Sequence, residues 1–197
     1  SDMQRKGARI IETVSELKDN ELVVIRSHGV GRDVYEQIAE KGNPMLDATC
    51  PFVARIHKIV SEKAAEGYFI LIAGDASHPE VQGIVGHCGE NCMVFKDKTE
   101  LQDFFEKKYT NLQKGVAIVA QTTYNIVVWD ECLKIIPKDD PDIVIFDTIC
   151  NATEARQSDA EKLSREADLM IVVGGKHSSN TVKLYDVCSK NCKTYHI

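Results

Sequence analysis

The sequence predicts an α/β protein made of pseudo-symmetric, repeated α/β domains, with mostly parallel sheets around a central cavity. Two observations predict this class. Short apolar runs typical of buried strands alternate with patterns typical of helices, and the pattern of residues 47–80 returns in residues 147–180. Because apolar strands that alternate with helices are typical of parallel sheets, we expect ligands to bind at the carboxyl ends of the strands.

Each predicted element follows from its local pattern. The first unit contains an apolar strand, a helix closed by Gly42 and a second strand that ends at Cys50. The second unit repeats this order after an amphipathic helix and a strand, and a third unit begins with another amphipathic helix and strand. In chain order the segments are ELVVIRSHGV, GRDVYEQIAEKG, NPMLDATC, PFVARIHKIVSEKAAEG, YFILIAG, GVAIVAQTT, YNIVVWDECLKII, DIVIFDTIC, EARQSDAEKLSREAD and LMIVVGG.

The repeat keeps a constant offset of 100 residues. We therefore expect three domains, of which residues 1–50 form the C-terminal half of a first α/β domain, residues 51–147 a second, and residues 148–197 the N-terminal part of a third. On this interpretation the chain is a fragment, truncated at both ends. The pairs at this offset are Asp47 and Asp147, Cys50 and Cys150, Gly74 and Gly174, Cys88 and Cys188, and Cys92 and Cys192.

The composition is typical of a globular protein in a reducing compartment. The 197 residues are 43% hydrophobic, enough for one large core or two small ones. No apolar run approaches the roughly 20 residues of a membrane span, and no signal-peptide pattern opens the chain. The net charge of −6 argues against nucleic acid as a partner. Seven cysteines without a secretory signal favour a cytoplasmic protein that uses them for metal binding or chemistry.

Chemically versatile side chains collect at the predicted strand ends. Cys50 and Cys150, related by the repeat, are expected to face each other across a pseudo-symmetry axis, which favours one metal centre shared between domains. His78 and Glu80 follow another strand end and are candidates for ligand binding or acid–base chemistry. The full set is His28, Gly29, Cys50, Gly74, Ser77, His78, Glu80, Gln121, Thr122, Thr123, Cys150, Gly174, Ser178, Ser179 and Asn180.

Simpler interpretations exist for several cysteines, histidines and glycines. A cysteine at a strand end is often a small buried hydrophobic residue, and a glycine after an apolar strand is usually a turn residue. We expect His57 and His87 to be solvated or packed, with no functional role. Cys88 and Cys92, and the corresponding pair 100 residues later, have zinc-ligand spacing, but they lie at the far ends of their units and are expected to be incidental.

Six motifs occur in order between residues 26 and 180: RSHGV, LDATCPFV, HPEVQG, AQTT, DTICNAT and SSN. Together they resemble the 4-hydroxy-3-methylbut-2-enyl diphosphate reductase family, the last enzyme of the non-mevalonate isoprenoid pathway. The resemblance implies an iron–sulfur oxidoreductase that removes the hydroxyl group of this allylic diphosphate to give isopentenyl and dimethylallyl diphosphate. It also implies three α/β domains in a clover-like arrangement around a [4Fe-4S] cluster.

The resemblance further implies roles for individual residues. Cys50 and Cys150 match two of the three cysteines that hold the cluster, and the third is missing from this chain. Glu80 matches the proton-delivering carboxylate, with Thr122 or Thr123 as its hydroxyl partner. The implied substrate-binding residues are His28, His78, Thr122, Ser178, Ser179 and Asn180. The implied partners are the allylic diphosphate and an electron donor such as ferredoxin or flavodoxin.

An alternative hypothesis from another class is an α/β binding module, metal-free or stabilised by zinc, that recognises a phosphorylated small molecule. The colour of the protein distinguishes the two, because an iron–sulfur protein purified without oxygen is brown and a zinc protein is colourless. In the reductase, histidines and neutral donors would bind the diphosphate, which explains how an acidic chain can bind an anion.

Overall fold

The structure is a computed structural model that describes residues 2–107, 109, 112, 114–137 and 139–197. Strands and helices alternate along this part of the chain, and the predicted α/β class is confirmed. None of the described helices is long and apolar enough to cross a membrane. In chain order the elements are α1 (Asp2–Arg5), a 3-10 turn (Val14–Glu16), β1 (Val23–Ile25), α2 (Arg32–Lys41), β2 (Met45–Asp47), α3 (Pro51–Ala65), β3 (Phe69–Ala73), α4 (Pro79–Val85), β4 (Cys92–Phe95), α5 (Lys98–Lys107), β5 (Val116–Ala120), α6 (Ile126–Ile135), β6 (Ile143–Ile145), α7 (Asn151–Glu166), β7 (Leu169–Val172), α8 (Ser179–Cys188) and β8 (Lys193–His196).

The strand pairs of the described residues are all parallel, as the continuous apolar runs predicted. The central sheet has four strands in the order β4-β3-β5-β6, and β1-β2 and β7-β8 form two-stranded sheets. The segment β1-α2-β2 has the connectivity of β5-α6-β6, and β7-α8-β8 has that of β3-α4-β4. Each two-stranded sheet therefore corresponds to one half of the central sheet.

The two middle strands of the central sheet, β3 and β5, are buried on both faces. The strands turn successive side chains to opposite sides, so Ile70 and Ile72 of β3 pack with residues of α3 and α4, while Leu71 and Ala73 pack with residues of α5 and α6. Burying a side chain of this size stabilises the fold by about 1.5–3 kcal/mol. These two cores hold the ends of β3 and β5 in fixed positions, and the candidate site residues follow those ends.

The strands of the first unit are shorter and more exposed than predicted. In β1 the outer two residues pack in a small core, but Val24 between them is 56% exposed. β2 ends at Asp47, three residues before Cys50, because the Asp47 carboxylate accepts the backbone N–H of Thr49 (2.9 Å) and turns the chain out of the strand. The first strand, expected to be buried, is therefore buried on one face only, and the prediction that the second strand ends at Cys50 is wrong.

Helix α7 begins at Asn151, three residues earlier than predicted, and its inward face is polar. Its buried residues are Thr153, Gln157 and Ser164. The Gln157 amide accepts the backbone N–H of Ile126 and donates to the carbonyl of Tyr124, both at 3.0 Å. The amphipathic pattern expected for this helix is wrong, because its inward face satisfies backbone groups at the start of α6 instead of filling an apolar core.

The sequence repeat is shifted at the last strand pair. In the second unit Ile70 pairs with Cys92, whereas the equivalent Met170 pairs with Thr194. The third unit therefore has two more residues between its strands than the constant offset allows. The alignment of Cys92 with Cys192 is consequently wrong in the structure.

Candidate active site at the strand ends

Cys50 and Cys150 occupy the same position in their units, at the N-cap of a helix and not at a strand end. Their φ and ψ angles are −56° and 134° before α3, and −67° and 130° before α7. The backbone N–H of Cys50 donates to the carbonyl of Ser27, and that of Cys150 donates to the carbonyl of Thr122, both at 3.0 Å. Both positions place a free thiol at the N-terminus of a helix, where it is available as a metal ligand.

A small cavity of about 190 Å³ lies between the two cysteine segments. Its lining residues are Phe52, Arg55, Asp147, Thr148, Ile149 and Asn151. The first two follow Cys50 in sequence, and the other four flank Cys150. Both thiols are free and partly buried. Across the described residues, no group of three or more His, Cys, Asp or Glu side chains is arranged to hold a metal ion. The fold thus brings the two segments to one cavity without a third ligand.

His28 and His78 meet edge to face, with their ring centroids 5.4 Å apart. Burial lowers the pKa of each ring below its ordinary value of 6.5, so both are neutral at pH 7. His78 is the N-cap of α4, and its Nδ1 accepts the backbone N–H of Glu80 at 3.2 Å. The proton of this neutral ring is therefore on Nε2, which is left to donate. Nδ1 of His28 is buried and has no hydrogen-bond partner among the described residues.

Glu80 is a buried carboxyl group bonded to Thr122. The residue is 3% exposed, and Thr122 donates its backbone N–H to Oε1 (2.7 Å) and its hydroxyl to Oε2 (2.8 Å). Burial raises the pKa of Glu80, and the two bonds from Thr122 lower it by less. A carboxyl group in this environment keeps its proton to higher pH than usual, and it can act as a general acid.

Thr123 bonds to the third unit and not to Glu80. Its Oγ1 lies 2.8 Å from Oγ of Ser179, the first residue of α8. Of the two threonines that the resemblance offers as the hydroxyl partner of Glu80, the structure therefore places Thr122 in contact with the carboxyl group. The other threonine joins the end of β5 to the start of α8.

The start of α8 presents groups that can bind an anion. The Ser178 hydroxyl accepts the backbone N–H of Thr181 at 3.4 Å and caps the helix. Oδ1 of Asn180 is buried, and the described residues provide no partner for it; because this atom only accepts hydrogen bonds, only the amide NH₂ group of Asn180 can donate to an anion. Because a helix of this length has a partial positive charge at its N-terminus, its first N–H groups favour a phosphate oxygen.

The predicted site residues form one connected set. The carbonyl of Ser27, the residue before His28, accepts the backbone N–H of Cys50, and the ring of His28 contacts that of His78. His78 accepts the backbone N–H of Glu80, and Glu80 accepts the backbone N–H of Thr122. The carbonyl of Thr122 accepts the backbone N–H of Cys150, and the hydroxyl of Thr123 is hydrogen-bonded to that of Ser179 at the start of α8. The set comprises His28, Cys50, His78, Glu80, Thr122, Thr123, Cys150, Ser178, Ser179 and Asn180.

His57 and His87 are packed, which was one of the two expected outcomes. Their rings stack with centroids 4.2 Å apart at an angle of 23°, and His87 Nε2 lies 3.0 Å from the Val30 carbonyl oxygen. Burial, and then the neighbouring His87, lower the pKa of His57 to about 4. A Cβ atom at Gly29 would lie 2.5 Å from Cε1 of His57, so this ring fixes the turn that follows His28.

The sequence placed Gln121 at a strand end but assigned it no role. In the structure the residue is 2% exposed. Its Oε1 accepts the backbone N–H of Asp75 (3.4 Å), and its Nε2 donates to Oγ1 of Thr123 (3.2 Å). Its position in the sequence could have indicated a role, because a polar residue directly after a fully buried strand needs hydrogen-bond partners.

Two cations near the histidine pair were also missed. Arg26 contributes to the lowered pKa of His28, and Arg26 and Lys183 are among the smaller causes that lower the pKa of His78. Arg26 could have been found from its place two residues before His28. Lys183 gives no such signal, because only the fold brings α8 close to the second unit.

The fold and the candidate site define an α/β protein of repeated units, in which a buried carboxyl group, neutral imidazoles and hydroxyls accompany two free cysteines. The chain belongs to the LytB protein family, whose model matches residues 1–197. The resemblance found in the sequence is thereby confirmed.

Several relatives of this chain are named 4-hydroxy-3-methylbut-2-enyl diphosphate reductase. The one from Caldanaerobacter subterraneus subsp. tengcongensis is 42% identical over 201 residues, covering 100% of this chain and 67% of the relative. The one from Clostridium perfringens strain SM101 is 43% identical over 188 residues, covering 95% and 64%. The chain thus spans about two thirds of the length of these relatives.

Solved structures agree with this assignment. The E-1-hydroxy-2-methyl-but-2-enyl-4-diphosphate reductase from Plasmodium falciparum matches with a TM-score of 0.90 at 28% identity, covering 100% of this chain and 61% of that one. A second structure is described as (E)-4-hydroxy-3-methyl-but-2-enyl diphosphate reductase, the terminal enzyme of the non-mevalonate pathway. It matches with a TM-score of 0.63 at 37% identity, covering 94% and 66%.

Proposed function

We propose that this chain forms part of an iron–sulfur reductase that removes the hydroxyl group of 4-hydroxy-3-methylbut-2-enyl diphosphate. The products are isopentenyl and dimethylallyl diphosphate. The observation that carries the proposal is the buried Glu80–Thr122 pair, which lies between the neutral histidine pair and the Cys150 backbone. Family membership supports the choice of substrate. We divide the chain into the three units expected from the repeat, residues 1–50, 51–147 and 148–197.

Cys50 and Cys150 fit as two protein ligands of a [4Fe-4S] cluster, because both are free thiols at helix N-termini and sequence neighbours of both line one cavity. The resemblance implies a third cysteine, which has no counterpart in this chain, and the longer relatives leave room for it. When bound, such a cluster supplies electrons one at a time and offers an open iron position that acts as a Lewis acid.

Residues of all three units bind the diphosphate. Nε2 of His78 carries a proton that it can donate, and His28 lies against it. The hydroxyls of Ser178 and Ser179, the side chain of Asn180 and the first N–H groups of α8 provide further donors. These are local groups, so the acidic overall charge of the chain does not prevent anion binding.

Glu80 delivers the proton that the leaving hydroxyl group needs to depart as water. The raised pKa of its carboxyl group keeps this proton available nearer to neutral pH than for an exposed glutamate. Thr122 holds both carboxyl oxygens, so the acid has a fixed orientation. The reduction also takes two electrons from outside and a second proton from solvent, which forms the new C–H bond. We propose a cytoplasmic one-electron carrier such as ferredoxin or flavodoxin as the electron donor.

The test measures iron, sulfide, visible absorption and turnover of 4-hydroxy-3-methylbut-2-enyl diphosphate on protein purified without oxygen. The reductase at the length of its relatives is used, with a chemical one-electron reductant. Cys50→Ser and Cys150→Ser should each lose iron and turnover. Cys192→Ser is the matched control, since this half-buried thiol lies between α8 and β8, outside the connected site, and it should retain both.

Two results would contradict the proposal. Retained iron and turnover in either Cys50→Ser or Cys150→Ser would remove the ligand assignment. A colourless protein that binds zinc or no metal, yet binds a phosphorylated small molecule, would favour the alternative binding module.

A further inference from the structure

Gln121 is held in one orientation by its two partners. The Asp75 partner is a backbone N–H, which can only donate, so the atom facing it must be the amide oxygen Oε1. The amide nitrogen Nε2 therefore faces Oγ1 of Thr123, and it donates to that oxygen at 3.2 Å. Burial of Gln121 excludes water as a competing partner. The hydrogen bond between Gln121 and Thr123 therefore has Gln121 as its donor.

The direction of the hydrogen bond from Gln121 to Thr123 also affects the hydroxyl of Ser179. The oxygen of Thr123 accepts from Nε2 of Gln121, so its own hydrogen is available to another acceptor. Oγ of Ser179 lies 2.8 Å from Oγ1 of Thr123. If the hydrogen of Thr123 points to Ser179, the hydrogen of Ser179 is free for a ligand. An anionic oxygen at the start of α8 favours this arrangement, because successive hydrogen bonds in one direction polarise and strengthen one another.

We propose that Gln121 and Thr123 are positioning residues that set the direction of a hydrogen-bond chain, Gln121 to Thr123 to Ser179, so that the Ser179 hydroxyl donates to a diphosphate oxygen. The inference rests on the proposed function, which supplies the diphosphate. It gives Thr123 a role distinct from that of Thr122, which serves Glu80. On this proposal, the residues at the end of β5 connect Glu80 in the second unit to the start of α8 in the third.

The experiment measures the dissociation constant of inorganic pyrophosphate by calorimetry for the parent and for Thr123→Val, Ser179→Ala and the double variant. Valine has the shape of threonine but neither accepts from Gln121 nor donates to Ser179. Each single variant should weaken binding about fivefold, the effect of one hydrogen bond. The double variant should bind no more weakly than Ser179→Ala alone, because the two side chains act through the same bond.

Two further variants separate positioning from packing. Thr123→Ser keeps the hydroxyl and should recover most of the affinity lost in Thr123→Val. Gln121→Glu keeps the shape of the side chain but accepts where the amide donates, so it should reverse the chain and weaken binding at least as much as Thr123→Val. Melting temperatures show whether each variant is folded, and Gln121→Glu tests the proposal if the valine variant does not fold.

The outcomes distinguish this inference from the proposed function. If the parent binds pyrophosphate and the effects of Thr123→Val and Ser179→Ala add, or if Thr123→Val binds like the parent, the hydrogen-bond chain is wrong while the diphosphate site stands. If the parent fails to bind pyrophosphate, the proposed diphosphate site is wrong, and this inference fails with it.

Discussion

Replacing Glu80 by Gln should make the protein more stable at neutral pH while it abolishes proton delivery. The amide fits the same contacts, because Oε1 can still accept the Thr122 N–H and Nε2 can donate to the Thr122 hydroxyl. What the variant removes is a carboxyl group that becomes a buried charge once it loses its proton. The pKa of Glu80 is raised chiefly by burial, so the folded protein favours the protonated form.

The sign and size of the change in stability follow from the linkage between protonation and folding. For a group whose pKa is raised by folding, the stabilising effect is fully present below the unfolded pKa, near 4.5, and is lost as the pH rises through the folded pKa. Each unit of pKa difference corresponds to about 1.4 kcal/mol. For a chain of 197 residues that is roughly 3–5 °C in Tm per unit. The Tm of Glu80→Gln minus that of the parent should therefore increase between pH 4 and pH 8.

The assay is thermal unfolding of both proteins across this pH range. Glu36→Gln is the matched control, because Glu36 is exposed on α2 and its variant should show no comparable trend. In the full-length reductase, Glu80→Gln should lose turnover by about 10²-fold or more. A Tm difference that stays flat or falls with rising pH would refute the reasoning, since it would mean that the Thr122 bonds stabilise the charged form more than burial opposes it.

Two further variants test how the site is supported. Gly29→Ala should lower Tm, because Gly29 has a φ of 67° and its new Cβ would lie 2.5 Å from Cε1 of His57; an unchanged Tm would show that the turn can relax. Asn125→Ala should lower the free energy of unfolding by about 1 kcal/mol, because Asn125 accepts the N–H groups of Val127 and Val128 at the start of α6. Denaturant unfolding measures this loss, and an effect below a few tenths of a kcal/mol would contradict the capping role.

Local patterns determined the class of fold and much of its layout. Parallel strands and helices were predicted from apolar periodicity, and α2 ends where Gly42 adopts a φ of 73°, as its glycine indicated. These features depend on residues close together in the chain, so the sequence carries their signal directly. The six motifs identified the family for the same reason. The ten candidate site residues were found from motifs that match that family, before any contact between them was known.

Contacts between distant residues could be decided only by the tertiary structure. Thr122 and Thr123 are adjacent and identical in type, yet one bonds to Glu80, 42 residues earlier, and the other to Ser179, 56 residues later. Sequence left the choice open because successive residues at a strand end point in different directions, and the partner of each depends on what packs there.

The errors have the same physical origin. An apolar run such as β1 was expected to be buried on both faces, but burial depends on how many layers cover a sheet, and the described residues cover only one face there. The inward side of α7 is polar because it meets the backbone at the start of α6. The sequence by itself thus determined the class of fold and many of its strands and helices, and it singled out the residues that we propose carry the chemistry. The packing of distant segments decided which of those residues touch, because burial and hydrogen bonding depend on neighbours that the local chain does not contain.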